Sequence, residues 1–81
     1  MSAQNEMRRV RKTNLVHTSR RLRHEIEGLT RTICVNLDCT LKCPEDLPME
    51  EIDSQVDELK EKWAELLMAI SEIARLDEAL R

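Results

Sequence analysis

Phenylalanine and tyrosine are absent from this chain of 81 residues, and tryptophan and glycine occur once each. With a single aromatic ring there is little to stack on unpaired bases, which argues against single-stranded nucleic acid as a ligand. No apolar run approaches the roughly 18 residues of a membrane span, and no apolar segment follows the basic N-terminal stretch as a signal peptide requires. The chain is therefore expected to be cytoplasmic. Its three cysteines, an odd number, fit a reducing compartment better than a disulfide framework. There is no glycine-rich phosphate loop, no His-Glu-x-x-His, and no nucleophile–base signature, so no enzymatic activity is expected.

What the chain does have is charge and periodic leucine and isoleucine. Asp, Glu, Lys and Arg make up 36% of it, the composition of long helices laced with surface charge. The net charge of −3 conceals a division. Residues 1–43 hold nine Lys/Arg against four Asp/Glu, whereas residues 44–81 hold four against twelve. The halves are electrostatic complements and are expected to lie against each other.

The strongest pattern runs through Ile52, Val56, Leu59, Trp63, Leu66, Ile70, Ile73 and Leu80, spaced alternately four and three apart. This is a coiled-coil seam sustained over about four heptads, broken only at Asp77. In the first half Leu22, Ile26, Leu29 and Ile33 repeat the rhythm, but upstream the same register meets Ser19, Leu15, Lys12 and Arg8. The spacing predicts a helix over about 5–37, a connector over 38–47 and a second helix over about 48–80, with the residues before Asn5 frayed. Gly28 is the one position where the first helix could end, as a glycine cap. Helical spacing through Ile26, Leu29, Ile33 and Leu37 favours continuation. Pro48 suits a helix start, with Asp46 or Leu47 as its cap or flank and Glu50, Glu51 and Asp53 at the positive end of the dipole.

Two helices of equal length joined by a short loop make an all-α antiparallel hairpin, one unit over residues 1–81. Folding about the connector sets Ile33 against Ile52, Leu22 against Trp63 and Lys12 against Ile73. Arg20, Arg21 and Arg23 then come within reach of Glu61 and Glu65, and Arg8 and Arg9 within reach of Asp77 and Glu78. Beyond Leu66 the second helix widens its apolar face just where the first thins. One partner cannot cover both. Trp63, Leu66, Leu67, Ile70, Ile73 and Leu76 are thus the expected protein interface. A homodimer closing a four-helix bundle is the simplest solution, and another helical protein the next.

Three other groups could carry chemistry. Cys34, Cys39 and Cys43, spaced C-x4-C-x3-C, are candidates for zinc, an iron–sulfur cluster or a redox thiol. A closed zinc site wants a fourth ligand, however, and ordinary exposed cysteine is the preferred reading, with no cofactor. Arg9, Arg20, Arg23 and Arg31 could line a stripe for phosphates, making a small nucleic-acid-binding regulator. The acidic second half and a pI near 5.4 disfavour that reading. His17 and His24 are two turns apart, too far to share a metal, and are read as solvent-exposed. In size and expected shape the chain resembles hairpin-dimer proteins such as the plasmid RNA-binding regulators of the Rop type, and the helical-hairpin chaperones of secretion systems. The likeness is one of architecture without a shared motif, and it implies no function.

Overall fold

The first helix begins earlier than its apolar rhythm predicts, because Ser2 caps it. The computed structural model describes residues 2–81. Ser2 has extended backbone angles, and its hydroxyl accepts the Asn5 backbone N–H at 3.2 Å. That satisfies one of the donors a helix start leaves unpaired. The fraying expected before Asn5 is therefore replaced by ordered helix from Ala3, while Met1 lies outside the described residues.

From there α1 runs as Ala3–Leu37 without a break. Gly28 sits inside it with ordinary helical backbone, and the Thr32 hydroxyl donates to the Gly28 carbonyl at 3.1 Å. The helix stops where Asp38 turns extended. The Asp38 side chain then accepts the Thr40 backbone N–H at 2.9 Å, a short polar turn that competes with helix. Lys42 folds back so that its ammonium donates to the Asn36 carbonyl at 2.8 Å, satisfying an acceptor of the last turn. A three-residue 3-10 turn, Pro44–Asp46, leads to α2, Met49–Ala79. Pro48 itself takes the cap position, with no side-chain cap, and Asp46 belongs to the 3-10 turn. Glu50 and Glu51 lie in the first turn, where the helix dipole favours them.

The two helices pack against each other as an antiparallel hairpin, a rod with extents of 63 × 16 × 15 Å. Ties across it show the nesting. The Asn36 side-chain amide donates to Gln55 at 2.9 Å near the connector, Lys62 meets Glu25 at 2.8 Å further along, and Arg11 meets Glu72 at 3.2 Å toward the open end. Lys12 pairs with Asp77 beside it. These cross-helix pairs differ from the ones the expected register sets up. No strand occurs among the described residues, and no helix there is long and apolar enough to cross a membrane.

On α1 the buried and half-buried line is Lys12, Leu15, Ser19, Leu22, Ile26, Leu29, Ile33 and Asn36, the register expected except at its end, where Asn36 turns inward and Leu37 is exposed. Leu22, 1% exposed, is its most enclosed side chain. Ser19 is buried too, its hydroxyl donating to the Val16 carbonyl at 2.8 Å. The second helix differs from expectation. It is turned about its axis so that Gln55, Lys62, Ala69 and Leu76 alternate with Ile52, Leu59, Leu66 and Ile73 toward α1. Trp63 and Ile70 are consequently not seam residues. Two features account for this rotation. Ala69 is small enough to lie level with Ser19, and the Lys62 stem crosses the seam while its ammonium reaches Glu25.

Candidate interaction face

The rotation of α2 divides the six residues expected to form an interface. Leu76, only 3% exposed, is spent in the intrachain core. Leu66 and Ile73 are half-buried, each straddling the seam and its edge. Trp63, Leu67 and Ile70 remain open to solvent at 56, 43 and 39% exposure, and Met68 at 72%. Met68 belongs to the widened apolar face that the sequence shows beyond Leu66, although it is not among the six expected interface residues. Between Trp63 and Ala74 the only ionisable residues are Glu65 and Glu72. Both lie on the flank of α2 where Glu72 pairs with Arg11 and Arg75. Everything else around the helix in this stretch is apolar or small. A helix apolar nearly all round is ordinarily covered on more than one side.

The exposed strip has a definite bearing. Asp77, Ile70 and Trp63 follow at intervals of seven, so they line one side of α2, the side on which Asp77 meets Lys12. Leu67 and Ala74 fall a little further round at the same interval. Taking 3.6 residues per turn, the Trp63–Leu67–Ile70–Ala74 strip lies about a quarter turn from the seam with α1. That quarter turn is the angle at which a helix in a four-helix bundle meets its second neighbour.

The basic residues flank this strip. Arg9, Lys12, Thr13, Val16, His17 and Arg20 line a shallow groove along α1 with Leu80 at its end. Arg23 continues the line of Arg9 two heptads, about four turns, further on, while Arg31 is rotated away from it. Arg9 is 3.7 Å from Glu6. Arg20, Arg23 and Arg31 make no ion pair among the described residues. The structure thus unites three of the four candidate arginines and leaves the fourth apart.

On the opposite flank the charges are mutually committed. The hydrogen bond from Lys62 holds the Glu25 carboxyl below the usual carboxylate range, and Glu25 in turn holds Lys62 above its own. Glu72 is lowered chiefly by its hydrogen bonds from Arg75, whose guanidinium is raised in return. Asp38 in the connector is lowered by the Thr40 hydroxyl and amide.

Cys34, Cys39 and Cys43 are free and exposed near the hairpin tip. Cys39 Sγ is 3.7 Å from the Leu37 carbonyl. Among the described residues no group of three or more His, Cys, Asp or Glu is placed to hold a metal ion. His17 and His24 are both exposed on α1.

Comparison of the chain with models of protein families, with curated proteins and with solved structures finds no match in any of the three.

Proposed function

We propose that this protein is a non-enzymatic, cytoplasmic assembly module that works by docking its second helix against another helix. The observation that carries the reading is the exposed strip of Trp63, Leu67 and Ile70 within a stretch of α2 that bears charge on one flank only. Leaving such side chains in water forgoes roughly 1.5–3 kcal/mol for each one that a partner would bury fully. Tryptophan at the head of the strip has the character of an interface anchor, since it brings large area at little entropic cost. The mechanism is burial of this strip, with the basic flank of α1 and the acidic face of α2 selecting the orientation of what docks.

The test couples a reporter with a disruption. Trp63 is the sole tryptophan, so its emission reads directly whether the strip is in water. Docking shifts the emission to the blue as partner or protein concentration rises, and Leu67→Glu with Ile70→Glu abolishes the shift while leaving the hairpin's helicity intact. Emission that stays red at every concentration and with every helical partner offered would rule the reading out.

A further inference from the structure

The strip is complementary to itself when run antiparallel, and from this we infer that its partner is a second copy of this chain, joined α2 to α2 with Trp63 over Ala74. The inference rests on the docking reading above and names its occupant. Along the strip the residues are Lys60, Trp63, Leu67, Ile70, Ala74 and Asp77. Laid antiparallel about a two-fold axis between Leu67 and Ile70, each meets its counterpart by size or by charge. Leu67 meets Ile70 at the centre, the large Trp63 meets the small Ala74, and Lys60 at one end meets Asp77 of the second copy at the other. All three matches then occur twice, as an isologous interface requires.

A helix made to dock on an unrelated surface has no reason for its two halves to complement each other. Nor does the monomer use this complementarity. Trp63 and Ala74 both face solvent, and Lys60 has no ion pair among the described residues. Asp77 offers Oδ1 to Lys12 of its own chain and has a second carboxylate oxygen for Lys60 of the other.

Charge fixes how far the two hairpins close. In a square bundle the Arg9–Arg23 flank of one α1 would face the same flank of the other, with Lys12 beside it. Like charges meeting in this way are costly at an interface. The hairpins therefore splay about the α2–α2 contact, which holds the two α1 helices further apart than in a square bundle. Other registers bring Trp63 against its own copy or Lys60 against Lys60, and both lose the matching of size and charge.

The experiment exchanges the knob and the hole. Trp63→Ala, Ala74→Trp and the combined W63A/A74W variant are compared with the unaltered protein by sedimentation equilibrium, with circular dichroism confirming the hairpin in each. Both altered positions face solvent in the monomer, so the fold is expected to survive. Each single change weakens dimerisation by about tenfold or more, one by removing the anchor and the other by opposing two tryptophans. The combined variant returns to within about threefold of the unaltered protein, because the pair is coupled across the interface. A combined variant as weak as the two losses together overturns the register. In that case loss of the dimer in Leu67→Glu still upholds docking through the strip. An unaltered protein that sediments as a monomer at about 100 µM overturns the second copy as partner. A dimer indifferent to Leu67→Glu overturns the docking reading as well.

Discussion

Replacing Gly28 by alanine is expected to make this protein more stable, by an amount the structure allows to be worked out. Gly28 lies in the interior of α1 with negative φ, and a Cβ built on its backbone meets no atom within 4 Å. No contact is gained and none is strained. What remains is the backbone freedom glycine loses on folding, worth about 1 kcal/mol relative to alanine in a helix interior. For a chain of this size that raises Tm by about 6 °C. It moves the urea midpoint upward by about 1 M at unchanged slope. Both melts are run at one protein concentration, since association adds to apparent stability. Gly28→Pro gives the opposite sign, with a loss of about 3 kcal/mol or more. A neutral or destabilising Gly28→Ala would refute the reasoning. It would mean that α1 bends or ends at residue 28, and that Leu29, Ile33 and Asn36 are not held in the register described.

Leu22→Ala removes the most enclosed side chain and is expected to cost about 2–5 kcal/mol, a large part of a small domain's stability, whereas Leu41→Ala at the 97% exposed tip changes the melt little. Glu25 has a folded pKa below its unfolded one, so its contribution is present above the unfolded value and disappears as pH falls through the folded one. Thermal melts should therefore find Glu25→Gln less stable than the unaltered protein at neutral pH, with the difference shrinking as pH falls below the ordinary carboxylate range. Replacing Cys34, Cys39 and Cys43 together by serine should shift stability by no more than about 0.5 kcal/mol, because all three are exposed, and native mass spectrometry should find the mass of neither form raised by metal.

The helices, their antiparallel arrangement and the inner face of α1 could be read from residue order alone. Leu22, Ile26, Leu29 and Ile33 offer a single apolar line, and Gly28 does not interrupt it. The setting of α2 about its axis could not be read in this way. Ile52, Leu59, Leu66 and Ile73 belong to two stripes at once, one completed by Val56, Trp63 and Ile70 and the other by Gln55, Lys62, Ala69 and Leu76. Periodicity ranks the first stripe higher because it is the more apolar. Packing chooses the second, in which a lysine stem and an alanine fit what α1 presents at those levels. The same choice explains the interface residues. Trp63, Leu67 and Ile70 stay available because they were not needed inside, and Leu76 is unavailable because it was. The start of α1 was missed for a more local reason, since Ser2 caps through one hydrogen bond that no apolar rhythm signals.

The nested ties of the hairpin also set an order in time. Asn36 and Gln55 are 19 residues apart in the chain and Glu25 and Lys62 are 37 apart, with Arg11–Glu72 and Lys12–Asp77 more distant still. Closing the connector first leaves each later contact only a short further loop to close, and each doubling of separation costs only about 0.6 kcal/mol. The chain is thus built to zip from its tip and to unzip from its ends. Amide protons near the termini should exchange first and those beside the tip-proximal core last. The strip from Trp63 to Ala74 lies on the half that closes late, so a partner seated there would hold shut the end of the molecule that opens most readily.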